Sequence, residues 1–170
     1  ESILQLLKNQ HSIQDIYGLT PRQKWIFDQK MKTTQKQNFS QISYRIKNLN
    51  LTNEKIQIAY QKLVAKHDVL RTSFQNMGGK IQQVVHKKIS TSHINFIKVP
   101  NEIFTKNDLV NFIGKIKKED IEKDFSFTKP LLMRLKFIEI GNDEYELIWS
   151  FHHIILDGWS ISLLIQDFIK

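Results

Sequence analysis

The 170-residue chain contains no cysteine, which removes disulfide bonds, thiol nucleophiles and cysteine-held metal or iron–sulfur sites from consideration. It has no run approaching the roughly 18 consecutive apolar residues of a membrane-spanning helix. Its first residues, Glu1-Ser2-Ile3-Leu4-Gln5-Leu6-Leu7-Lys8, lack a basic stretch leading into a long apolar core, which argues against a secretory signal. A cytoplasmic protein is the simplest reading of these absences. Internal repeats, low-complexity tracts and linkers are missing as well. So are RNP-like aromatic strands and zinc-finger spacings. The net charge of +8, spread over scattered lysines with short groupings at Lys87-Lys88 and 115–118, therefore reads as solvated surface and not as a nucleic-acid face. Its sharper use would be to meet an acidic protein or a phosphate-bearing ligand.

What is present is enough for a core. Hydrophobic residues make up 41% of the chain and aromatic ones 11%, the composition of a folded body the size of one domain or one lobe of a larger one. Residues 1–12 read as a short amphipathic lead-in, with Ile3, Leu4, Leu6 and Leu7 apolar. Thr20 can cap a helix over about 21–31 with Pro21 at its first position. Residues 39–46 alternate as a strand. Ile56, Ala59, Tyr60, Leu63 and Val64 fall at helical spacing and predict a helix from about 53 to His67.

Strands at 71–75 and 80–86 flank Asn76-Met77-Gly78-Gly79, a hairpin signal. A further strand spans 93–99 and is closed by Pro100. Thr105 or Asn107 can cap a helix through about Asp120 with Leu109, Phe112, Ile113 and Ile116 on one face. A loop at 125–130 leads into a long hairpin of 131–140 and 144–154, turned at Gly141-Asn142-Asp143. Ile161, Leu164, Ile165 and Phe168 set a last helical period. Hairpins mixed with helices predict an α/β (α+β) layered sandwich, a mixed sheet with helices packed on it. The final helix carries no stop signal, which suggests a piece of a longer polypeptide.

The chemistry-bearing stretch is Phe151-His152-His153-Ile154-Ile155-Leu156-Asp157-Gly158-Trp159-Ser160. Side chains alternate faces along a strand, so Leu147, Trp149, Phe151 and His153 share one face while Ile148, Ser150, His152 and Ile154 share the other. His153 ends an apolar stripe, where desolvation favours a neutral, proton-accepting imidazole. Adjacent histidines point apart, so the pair is a poor metal site. His152 reads as a hydrogen-bonded core histidine. Asp157 is either an N-cap or a buried carboxylate paired with an arginine that holds the loop aiming His153. Gly158 is either a turn residue or a point where substrate approaches backbone at a helix N-terminus, whose N–H groups can stabilise an oxyanion.

His152-His153-x-x-x-Asp157-Gly158-Trp159-Ser160 resembles the HHxxxDG signature of the condensation domains of nonribosomal peptide synthetases. Tyr17-Gly18-Leu19-Thr20-Pro21-Arg22-Gln23 resembles that family's opening segment. His67-Asp68-Val69-Leu70-Arg71-Thr72-Ser73-Phe74 resembles its second segment, with Lys66 and Asp68 where Arg and Glu are usual, and Lys129-Pro130-Leu131-Leu132 is similar to the stretch before its paired strands. The resemblance implies one chloramphenicol-acetyltransferase-like lobe over 13–170, the N-terminal lobe of a two-lobed domain whose C-terminal lobe is absent.

It also implies a reaction. The amine of an acceptor aminoacyl thioester attacks a donor acyl or peptidyl thioester, both carried on the 4'-phosphopantetheine of donor and acceptor peptidyl carrier proteins. No metal or other cofactor is bound directly. His153 matches the catalytic position, either as general base or as a group that orients the amine. Asp157 is implied to be structural, with Arg71 or an arginine of the other lobe as its partner. The alternative for Arg71 is a charge at the C-terminal end of the 53–67 helix. Other readings are an epimerisation domain sharing the signature, from which Trp159-Ser160 points away, a coenzyme A-dependent acyltransferase of the same superfamily, and a non-catalytic module that docks carrier proteins.

Overall fold

A computed structural model describes residues 12–32, 38–47, 52–90, 94–103, 105–141 and 143–170. The expected lead-in helix, His93 and Asn142 lie outside them. The chain runs β1 (Ile13–Gly18), α1 (Pro21–Lys32), β2 (Phe39–Lys47) and α2 (Asn53–Lys66). A 3-10 turn (Asp68–Arg71) leads to β3 (Thr72–Met77), β4 (Lys80–His86) and β5 (Ile94–Lys98). Then come α3 (Lys106–Glu122), β6 (Met133–Gly141), β7 (Glu144–His152) and α4 (Gly158–Phe168).

The strands form two sheets. One has the order β1-β4-β3 and the other β2-β7-β6-β5. All neighbours are antiparallel except β5 and β6, which run parallel across the α3 connection. The α+β layering expected from mixed hairpins and helices is present. β7 pairs on both sides, with Phe39 opposite His152 and Met133 opposite Phe151.

Alternation along β7 builds two apolar layers. Leu147, Trp149 and Phe151 point into the main core with Tyr60, Leu63, Phe74, Leu135, Phe137, Ile161 and Leu164. Ile148 joins Ile138 on the opposite face, beneath Ile113 and Ile116 of α3. The main core thus draws on both sheets, α2 and α4.

Local chemistry sets the ends of the elements. Thr52 caps α2 by accepting from Lys55 N at 3.2 Å, and Thr105, not Asn107, caps α3 in a reciprocal capping box with Asp108. Gly78 and Gly79 take φ of 63° and 83° in the β3–β4 turn, which glycine adopts without steric cost. β6 starts at Met133, not Leu131, because Leu131 has φ 66° and breaks the extended run. β1 has no apolar alternation: five of its six residues are exposed. Its main-chain ladder to β4 makes it a strand, and its side-chain pattern carries no sign of it. β7 stops at His152, two residues short of the expected strand, so His153 opens a turn.

Candidate active-site turn

His152 is 2% exposed. Its ring meets the edges of Phe127 and Phe125 with centroids 4.7 and 6.4 Å away. Its N–H donates to Leu132 O at 3.0 Å, and Nδ1 accepts from Ile154 N at 3.1 Å. These contacts pin the start of the turn.

His153 is half-buried and faces away from that cluster, with its ring 5.5 Å from Phe151 in an edge arrangement. Its backbone N–H donates to Asn38 O at 2.8 Å. Nδ1 lies 2.9 Å from Leu156 O. A carbonyl oxygen only accepts, so Nδ1 carries the proton of the neutral ring and Nε2 presents its lone pair. In that tautomer Nε2 accepts from the Ser40 hydroxyl, 2.7 Å away. Sequence shows Ser40 only as a polar position on an alternating strand, because the contact depends on the β2–β7 register.

The turn is fixed from below by buried Ile154, Ile155 and Leu156. Gln23 reaches it from the opening segment. Its Nε2 donates to Ile154 O at 3.2 Å and to Gln83 Oε1 at 2.7 Å, while its Oε1 accepts from Thr20 N at 3.0 Å.

Asp157 is the N-cap of α4 and accepts from Ser160 N at 2.7 Å. It is exposed, and the N–H of Ser160, with smaller help from Trp159 and Arg22, holds its carboxyl below the ordinary value. The expectation of a buried carboxylate paired with Arg71 is therefore overturned. Arg71 is itself buried, but its guanidinium is committed elsewhere. Nε donates to Val64 O at 3.1 Å and Nη1 to Gln14 Oε1 at 2.8 Å. Further bonds go to Ala65 O, His86 O and Asp68. Arg71 closes the C-terminal end of α2, the alternative that the helix dipole favours.

Gly158 opens α4, and among the described residues no atom lies within 4 Å of where a Cβ would stand there. Trp159 beside it is 79% exposed, and Ser160 is half-buried with its N–H taken by the cap. His152, His153, Asp157 and Gly158 thus share one turn, whereas Arg71 does not join them.

A second cluster carries no signal in the sequence. Asp120 is 0% exposed and meets Lys136 Nζ at 2.8 Å, Arg134 Nε at 3.1 Å and the Ser150 hydroxyl. Burial alone would raise its pKa, but Lys136, Ser150 and Arg134 outweigh it and hold the carboxyl below the ordinary range. Arg134 also lies 4.0 Å from the centroid of Phe125, one of the rings around His152. Toward the other end of β7, an apolar cavity of about 380 Å³ is lined by Ile46, Ile56, Phe137, Trp149, Ile165 and Phe168.

Two sheets around a shared core, with a histidine turn at the end of a central strand, make an α+β lobe. The family model described as Condensation domain matches residues 13–170, and the chain belongs to the condensation domain family. It is 31% identical over 164 residues to a plipastatin synthase protein of Bacillus subtilis (strain 168), covering 94% of this chain and 4% of that protein. It is 31% identical over 169 residues to bacitracin synthase 1 of Bacillus licheniformis, covering 96% and 3%.

Solved structures share the fold. The starter condensation domain of rhizomide synthetase superposes with a TM-score of 0.77 at 15% identity, covering 91% of this chain and 38% of that one. A four-domain nonribosomal peptide synthetase bound to AMP and glycine gives 0.73 at 21% identity, covering 92% and 11%. The chain therefore spans a small fraction of the relatives it matches, and little more than a third of the rhizomide synthetase domain.

Proposed function

We propose that residues 13–170 are the N-terminal lobe of a condensation domain that forms amide bonds in nonribosomal peptide synthesis. The observation that carries this reading is His153, whose Nδ1 is held by Leu156 O and whose Nε2 meets the Ser40 hydroxyl at the turn that leads into α4. The substrates are a donor acyl or peptidyl thioester and an acceptor aminoacyl thioester, each on the phosphopantetheine arm of a carrier protein, in a cytoplasmic assembly. The amine lone pair attacks the thioester carbonyl, its electrons moving to oxygen. The imidazole accepts the proton that the amine sheds, and thiolate departs as the tetrahedral centre collapses. The lobe supplies one wall of the site, and the remaining part of the domain supplies the other.

The test uses the full synthetase with both carriers loaded. His153→Ala is expected to slow amide formation by about 100-fold or more. Unchanged turnover would overturn the assignment of His153 as the reacting group.

A further inference from the structure

Each neutral imidazole has one lone pair, and in this chain that of His153 is already used. Nδ1 is bound to Leu156 O at 2.9 Å, and Nε2 accepts from the Ser40 hydroxyl at 2.7 Å. An amine proton can reach Nε2 in two ways: the hydroxyl swings aside, or the proton passes through it. Backbone geometry holds the two side chains next to each other. Ser40 pairs with Phe151 in the β2–β7 ladder, and the His153 N–H is bonded to Asn38 O at 2.8 Å, two residues from Ser40. The two side chains therefore stand on main chains bonded to each other on either side of their contact. Asn38 reaches this position with φ 60°, a left-handed conformation that asparagine tolerates. A serine oxygen that donates its proton still has two lone pairs, and Ser40 is half-buried.

We propose that Ser40 is a proton relay between the acceptor amine and His153. This rests on the reading of His153 given above. As the amine nitrogen bonds to the thioester carbon, one N–H proton passes to Ser40 Oγ while the Oγ proton passes to His153 Nε2. The hydroxyl is regenerated, the imidazole becomes imidazolium, and the carbonyl π pair resides on oxygen. On collapse the C–S bond breaks and its electron pair leaves with sulfur, which is protonated from Nε2 by the reverse path. No oxidant, reductant or metal enters the balance.

The experiment measures single-turnover amide formation by the full synthetase on loaded carrier proteins, for wild type, Ser40→Ala, Ser40→Thr and His153→Ala. Ser40→Ala is expected to lower the rate by about 100-fold at unchanged carrier affinity, with Ser40→Thr restoring most of it. In mixtures of light and heavy water the wild-type rate should fall along a bowed curve, as two protons in flight require, and the Ser40→Ala rate along a straight line. A Ser40→Ala enzyme as fast as wild type, or faster, overturns the relay while leaving His153 in place. So does a straight line for wild type. A loss that Ser40→Thr does not restore, accompanied by a lowered melting temperature, also overturns it in favour of a structural role. Full activity of His153→Ala, or no amide from wild type, defeats the functional reading and the relay together.

Discussion

Asp157 shows how one residue supports two readings until its surroundings are known. An Asp ahead of an apolar helical period is a competent N-cap, and beside two histidines and a glycine it equally suggests a buried brace. Its exposure and its 2.7 Å bond from Ser160 N decide for the cap. Asp157→Ala should therefore lower stability by about 1 kcal/mol, while Asp157→Asn, which keeps an accepting oxygen, costs only a few tenths of that. Urea midpoints of the two variants check this, and equal losses would contradict capping. For Arg71 the helix-end alternative is visible in the sequence, but the five carbonyl and side-chain partners it collects there could not be counted without the fold. Strand alternation reads correctly along β7 as far as His152, where the strand ends and the turn sets the place of His153 and Ile154. The Ser40 contact is not legible in the sequence, because it joins residues 113 apart.

At the scale of elements, helices and hairpins whose signals lie in a short window are legible: Thr52 before α2, the Gly78-Gly79 turn, and the apolar face of α3. β1 is not, since its ladder to β4 is made by main chain and its own side chains are mostly exposed. The attachment of α3 to the larger sheet is half legible. Its apolar stripe announces the Ile113 and Ile116 contacts, but nothing marks Asp120 as the carboxylate that neutralises Lys136 and Arg134 of β6. Removing it leaves two cations facing one another in a buried site, so Asp120→Asn should destabilise by about 3 kcal/mol. The pH dependence follows from the lowered pKa. The unfolded carboxyl titrates near its ordinary 3.8 and the folded one lower, so the ion pairs stabilise fully above that value and are lost as pH falls through the folded pKa. Urea midpoints between pH 6 and pH 2 should drop more steeply for wild type than for Asp120→Asn, and parallel profiles would remove Asp120 from the account.

At the scale of the molecule, both sheets feed one apolar core. Phe74 of β3 touches Phe127 with centroids 5.8 Å apart, and Phe127 touches His152 at the end of β7. Phe74 N–H donates to Phe127 O at 2.8 Å and Leu131 N–H to Leu70 O at 3.1 Å, so the loop between α3 and β6 joins the two sheets. Neither sheet can lose its packing alone. Thermal unfolding followed by near-ultraviolet and far-ultraviolet circular dichroism should give coincident single transitions, and two separated steps would show that the sheets are independent units.

The Gln23 amide that reaches Ile154 O spans 131 residues, and its consequence is temporal. During synthesis α1 emerges long before β7, yet its glutamine has no turn to hold until the signature is translated. At roughly 5–20 residues per second that interval lasts many seconds. Throughout it β2, whose partner β7 also comes last, waits with an open edge. The histidine turn is thus among the last parts of the lobe to be translated, ahead only of α4, and a ribosome that stalls before residue 152 leaves a nascent chain carrying most of the apolar core but not the turn.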